Sequence, residues 1–273
     1  MRITSTIHNH CTLCDGRSTP EEMIEAAIAH GFTDFGMSCH GYTPFDLPYS
    51  VESEESYLRA MKKLREKYAG RIRVWCGTEQ EYFAPVADRA AYDYIIGSCH
   101  YVLDRDTGEH IDIDGPDSEF ARARDTLFGG DVYKLVADYY KNVVDIAETQ
   151  RPDVLGHFDL IGKNNGDGRF FDEDSKRYRD IALEALCACA DTGVIFEVNT
   201  GAIARGNRSV PYPPLFMLKE LCARGVMLTL TSDCHDARHL VTGLSDAAEL
   251  VKLAGYRTVL MWEDGAFAEK PLD

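Results

Sequence analysis

A parallel α/β barrel, a seven-stranded TIM-like one with a metal site at the C-terminal ends of its strands, is the fold class this sequence predicts. Three observations predict the barrel. Strand-like and helix-like segments alternate about seven times along the 273 residues. No linker divides the chain, so one domain is expected over 1–273. Every one of the seven strand segments ends in a potential metal ligand, and a parallel barrel brings all strand C-termini to one face. A doubly wound open sheet needs similar patterning, but no Gly-rich dinucleotide fingerprint follows the first strand.

The elements can be justified in order. Ile3 to Ile7 reads as a β-branched strand, and His8 and His10 beyond it share one side. Gly16 suits a turn. Thr19-Pro20-Glu21-Glu22 carries a capping box with Pro at the first helical position, and Gly31 ends that helix. Phe32 to Cys39 is an apolar strand ending at His40. After a loop with Pro44 and Pro48, the spacing of Tyr57, Met61, Leu64 and Tyr68 predicts a helix over 53–68. Strands follow at 72–76, ending in Gly77-Thr78-Glu79-Gln80-Glu81, and at 94–97, ending at His100. Residues 101–130 are polar, acidic and Gly-rich, too long for an ordinary barrel loop, and read as a rim or lid insertion. Helix 131–149 leads to strand 154–156 and His157, and helix 174–192 leads to strand 194–196 and Glu197. Helix 214–224 leads to strand 226–230, which ends in Thr231-Ser232-Asp233-Cys234-His235. Helix 243–254 and an edge strand at 258–262 complete the pattern.

Composition narrows the function. The 29 basic and 45 acidic residues give a net charge of −16, which argues against a nucleic-acid or anionic-membrane surface. A small phosphorylated substrate stays open, because bound metal ions can reverse the local field. No apolar run approaches a membrane span, and no signal peptide is evident at the N-terminus. Nine cysteines without a framework fit a reduced, cytoplasmic protein. Cys11-Thr12-Leu13-Cys14 is a CxxC without a second pair, and reads as a small-residue turn rather than a structural zinc site.

The strand ends carry, in order, His8 and His10, His40, Glu79, His100, His157, Glu197, and Asp233 with His235. Six of the nine histidines lie there, leaving His30, His110 and His239 as dispensable. These are too many ligands for one metal, so two or three divalent ions are expected. Imidazole with carboxylate suits Zn, Fe or Mn better than Mg or Ca.

As an ordered set, His8-x-His10, Asp15-Gly16, His40, Gly77-x-Glu79, His100, His157 and Ser232-Asp233-x-His235 resemble the polymerase-and-histidinol-phosphatase (PHP) family, in its histidinol-phosphatase branch. The resemblance covers nearly the whole chain. It implies the distorted seven-stranded barrel with a trinuclear metal centre. It further implies that His8, His10, Glu79 and Asp233 hold one metal. Glu79 would bridge to a second, completed by His100 and His157, and Asp15, His40 and His235 would hold a third. Many relatives have His where Asp15 stands, and Asp is a harder ligand. Glu197 and Glu81 are expected to orient ligands from behind.

The expected activity is hydrolysis of a phosphomonoester, most specifically L-histidinol phosphate. Closely spaced metals activate water and neutralise phosphoryl oxygens, with Glu79 bridging and Asp233 or His235 assisting proton transfer. Phosphate also needs cations, and Arg205 and Lys163 lie just past strand ends; guanidinium can clamp phosphate bidentately. Arg17 and Arg208 are weaker candidates. The acidic insertion, with Asp104, Asp106, Glu109, Asp112 and Asp114, could attract a cationic substrate. The competing readings are a PHP phosphoesterase for another small phosphate or a phosphotyrosine, a polymerase-associated exonuclease, and a non-hydrolytic metal-binding module. The oligomeric state is not readable from the sequence.

Overall fold

The computed structural model describes residues 2–273. Its elements are β1 (Ser5–Thr6), α1 (Pro20–Ala29), β2 (Asp34–Met37), α2 (Glu54–Lys67), β3 (Arg73–Glu81), β4 (Tyr94–Ser98), β5 (Tyr101–Leu103), β6 (His110–Asp112), α3 (Asp117–Phe128) and α4 (Val132–Asp145). They continue with β7 (Val154–Leu155), α5 (Lys176–Asp191), β8 (Ile195–Asn199), α6 (Gly201–Ala204), α7 (Leu215–Ala223), β9 (Leu228–Thr231), α8 (Leu244–Ala254), β10 (Thr258–Glu263) and β11 (Ala266–Pro271). The main sheet runs β1-β2-β3-β4-β7-β8-β9-β10-β11 and is parallel up to β10, with β11 antiparallel at the end.

The sheet curls into a distorted barrel. At the C-terminal rim Asn9 pairs with Cys234, and the His10 amide donates to the Cys234 carbonyl at 2.8 Å, so the first and seventh strands meet there. At the opposite end β10 enters beside β9, and Thr4 Oγ1 donates to Glu263 Oε1 at 2.9 Å. This explains why regular pairing of the first strand stops at Thr6 rather than Ile7: the chain leaves its ladder with β2 to close the rim. Inside the barrel, Tyr94 packs with Ile7, Ile96, Val154 and Trp262. Its hydroxyl donates to the Ile7 carbonyl at 2.6 Å. A Cβ at Gly36 or Gly77 would lie 2.1 Å from the Tyr94 ring or hydroxyl, so both strands need glycine to let that ring in.

Helices pack outside in two apolar layers. One buries Met23, Ile24, Tyr57, Met61 and Leu64 against β2 and β3. The larger packs α4, α5, α7 and α8 against the other half of the sheet, from β7 to β10. The capping box of α1 forms as expected: Thr19 Oγ1 accepts from the Glu22 amide and Glu22 Oε2 accepts from the Thr19 amide. No helix among the described residues is long and apolar enough to cross a membrane.

Three expectations are corrected. Strand β3 runs through Glu81 rather than stopping at Cys76, because parallel pairing with β4 extends to Glu81–Ser98 on a buried ladder. The 101–130 segment is built, not merely polar. It holds the β5–β6 hairpin and α3, and buries Val102, Ile111, Ile113, Phe120 and Ala123 in the larger core. The C-terminal edge is a β10–β11 hairpin rather than one strand.

Candidate metal centre

The centre is organised by Glu79, which β3 holds in the barrel mouth at 1% exposure. Its two oxygens face different histidines. Oε2 lies 3.1 Å from His8 Nε2, 3.3 Å from His10 Nε2 and 2.9 Å from His40 Nδ1. Oε1 lies 2.7 Å from His157 Nε2 and 3.4 Å from His100 Nε2. Asp233 Oδ1 closes the first side, 3.2 Å from His10 Nε2 and 3.7 Å from His8 Nε2. Burial alone would raise the Glu79 carboxyl, but His8, His40 and His100 outweigh it and hold it well below the usual carboxylate range. Burial likewise opposes charge on His8, yet Glu197, Glu79 and Asp233 override that and raise it to about 10.

A cation fits this donor set. His8 Nε2, His10 Nε2 and Glu79 Oε2 are buried, converge on one another, and have no hydrogen-bond partner among the described residues. Leaving one such group unsatisfied costs about 1–3 kcal/mol, and three in one place point to a shared partner. Ligand-type atoms of His8, His10 and Asp233, of His8, Glu79 and His157, of His40, Glu79 and His100, and of His10, Asp15, His40 and His235 lie within 4.8 Å of one another. These groups overlap the sets implied by resemblance without reproducing them. His40 faces Glu79 through Nδ1 and Asp15 Oδ1 through Nε2 at 3.5 Å, so it stands between two sites. Asp15 Oδ2 is 3.3 Å from His235 Nε2.

Behind this layer sit two more buried carboxylates. Glu197 Oε1 is 2.5 Å from His8 Nδ1, and its Oε2 accepts from the His157 amide at 2.8 Å. Glu81 Oε2 is 2.9 Å from His100 Nδ1 and accepts from the His100 amide at 3.0 Å. Each fixes its imidazole so that Nε2 points at Glu79. Cys14 Sγ lies 3.6 Å from His10 Nδ1, and the CxxC is a turn in which the Cys14 amide donates to the Cys11 carbonyl. All nine cysteines are unpaired.

The cluster floors a cavity of about 430 Å³ whose walls include Arg17, Tyr49, Asp114, Lys163, Arg205 and His239. Arg205 donates to Asp233 Oδ2 at 3.0 Å and approaches His235 Nδ1 at 3.1 Å. Lys163 Nζ donates to Asp114 Oδ2 at 2.8 Å.

A family model for the PHP domain matches residues 6–201. The chain belongs to the PHP domain family. Two curated relatives, each called "Probable histidinol-phosphatase", align along most of their length. The one from Schizosaccharomyces pombe is 26% identical over 97% of this chain and 90% of its own. The one from Deinococcus radiodurans is 27% identical over 92% and 94%. A crystal structure of histidinol phosphate phosphatase from Lactococcus lactis, complexed with zinc, L-histidinol and phosphate, has the same fold. Its TM-score is 0.68 at 18% identity, covering 97% of this chain and 98% of that one.

In this PHP centre all nine expected ligands stand in one cluster, and Glu197 and Glu81 stand behind it. Arg205, Lys163 and Arg17 reach the cavity; Arg208 does not line it, being held by the Gly162 carbonyl and Glu173. Among the wall residues that the sequence does not single out are His239, Tyr49 and Asp114. His239, dispensable by the sequence reading, lines the cavity from the short helical turn at Ala237–His239 that follows Asp233 and His235. Tyr49 stacks on His40 with ring centroids 3.7 Å apart. Its loop has no periodic pattern to betray it. Asp114 had been one acid among five in the insertion, and only the ion pair with Lys163 distinguishes it.

Proposed function

We propose that this protein is a metal-dependent phosphomonoesterase that hydrolyses L-histidinol phosphate to L-histidinol and phosphate. The observation that carries this reading is Glu79, whose two oxygens face two histidine sets at the floor of a cavity walled by Arg205 and Lys163. The two relatives' names support the choice of substrate.

In this reading His8, His10, Glu79 and Asp233 hold one divalent ion. Glu79, His100 and His157 hold a second, and Asp15, His40 and His235 a third, drawn from Zn, Fe or Mn. When bound, such closely spaced ions bring the pKa of water towards neutrality and offset charge on phosphoryl oxygens. The chain's own residues do the rest. Glu197 and Glu81 keep His8 and His100 in orientation. Arg205 and Lys163 bind the phosphoryl oxygens and set the ester in line. His235, at 19% side-chain exposure the most open of the clustered histidines, or Asp233 beside it assists proton transfer to the leaving alcohol. The unpaired cysteines fit a cytoplasmic setting.

The test is phosphate release by Mn- or Zn-loaded protein from L-histidinol phosphate, a panel of small phosphomonoesters and phosphotyrosine. The expected preference for L-histidinol phosphate is about tenfold or more in kcat/KM. Equal rates across the panel would remove the substrate assignment, and no phosphate from any ester would remove the enzyme assignment.

A further inference from the structure

The cavity wall beside His100 carries a feature that phosphate binding alone does not require. Lys163 and Asp114 form an ion pair at 2.8 Å, and their side chains are 16% and 19% exposed. Both line the cavity. They come from different parts of the chain: Lys163 follows β7, whereas Asp114 follows β6 in the inserted segment. The insertion is fixed so that Asp114 faces inward. Asp112 Oδ1 accepts from the Asp114 and Gly115 amides at 2.9 and 2.8 Å, and Asn164 Nδ2 donates to the Gly115 carbonyl at 2.8 Å. A Cβ at Gly115 would sit 2.1 Å from Asp112 Oδ2, so this turn needs glycine. Among the described residues, Lys163 is the one basic side chain that hydrogen-bonds the Asp114 carboxylate, which the Asp112 carboxyl and His100 also face.

We infer that the Lys163–Asp114 pair is a specificity device for phosphomonoesters whose leaving group carries a cationic amine. The argument is one of charge balance and rests on the phosphatase reading above. A phosphate that draws Lys163 away leaves the largely buried Asp114 without its counter-ion and facing added negative charge, which is costly. A substrate with both phosphate and ammonium replaces both partners at once. Lys163 turns to the phosphoryl oxygens and Asp114 receives the ammonium. An ester without the amine satisfies one half of the pair and strands the other. Discrimination then comes chiefly from the unpaired carboxylate that the wrong substrate leaves behind.

The experiment compares L-histidinol phosphate with its des-amino analogue, the same imidazolyl-alkyl phosphate lacking the amine. Wild type, Asp114→Asn and Asp114→Ser are used, with melting temperatures to check folding. Wild type should prefer the amine substrate. Both Asp114 variants should lose most of that preference: kcat/KM on the analogue should rise about tenfold, mostly through KM, because no carboxylate is left unpaired, while on the amine substrate it should fall about threefold with loss of the ammonium contact. Calorimetric titration with L-histidinol, which has no phosphate, should show about tenfold weaker binding to Asp114→Asn. Equal change on both substrates, or no change on either, would overturn the inference and leave the pair as a clamp for the insertion. Wild type that treats the two substrates alike would overturn it without any variant. Absence of turnover on every phosphomonoester would overturn the phosphatase reading and this one with it; turnover with unaltered discrimination would overturn this one alone.

Discussion

Glu79 and Asp114 are carboxylates lining the same cavity, and they are placed by opposite means. Glu79 sits on a nine-residue strand paired on both sides, at 1% exposure, with five imidazoles within 3.4 Å. Asp114 sits beyond a three-residue strand and is aimed by side-chain hydrogen bonds and one ion pair. The backbone ladder fixes the group that must meet several ligands at once. The insertion supplies the group whose partner must be exchangeable. A rigid floor with an adjustable wall is what chemistry common to many esters, but selective for one, requires.

The largest expected effects fall on the floor. Asp233→Ala and His10→Ala should abolish phosphate release, by about a thousandfold or more, and lower bound metal measured on the same samples. Full activity in either variant would break the contrast between floor and wall. Glu197→Gln and Glu81→Gln should come next. Each keeps its volume but loses the carboxylate behind an imidazole, and a partner in that position is worth about 10–100-fold in metal affinity. Competition with a chelator measures this, and unchanged affinity would mean that Nδ1 contacts do not orient His8 and His100.

Arg205→Ala should have a smaller, mixed effect. Its main expected consequence is a KM about tenfold higher, from loss of a phosphoryl contact. Arg205 also donates to Asp233 Oδ2, so kcat should fall too, by a smaller factor. Unchanged kinetics would remove this residue from the site.

How much of this was readable in the sequence follows the same division. The ring of ligands could be read because parallel strands repeat one rule: each carries its chemistry at its C-terminal end. His8, Glu79 and Asp233 obey that rule one strand at a time, so counting strands found the floor. The place of His40 between two sites could not be read, since which of its nitrogens faces Glu79 depends on ring rotation and not on spacing. Tyr49, Asp114 and His239 lie on segments that no periodicity governs, and their roles come from contacts between distant parts of the chain. The order inside 101–130 was hidden for a related reason. Polar residues dominate its composition, while five scattered apolar side chains do the packing.

The smallest predicted effect sharpens the description of the wall. Burial, then the neighbouring Asp114 charge, pushes the Asp112 carboxyl up from 3.8 to about 7. Between these values the folded chain retains a proton that the unfolded chain has already released. Stability attributable to this group therefore falls as pH rises through about 4 to 7, and the full penalty stands above pH 7. Asp112→Asn keeps an acceptor for the Asp114 and Gly115 amides and offers N–H donors towards Asp114, but it does not ionise. The variant should match wild type near pH 4 and be more stable at pH 8. Asp112 is partly exposed, so solvent screening limits the gain to about 1 kcal/mol, or a melting shift of about 2 °C. Melting curves at the two pH values decide it. A difference that is the same at both, or that favours wild type at pH 8, would mean that the turn presenting Asp114 holds its acids ionised, and that the wall is set by hydrogen bonds alone.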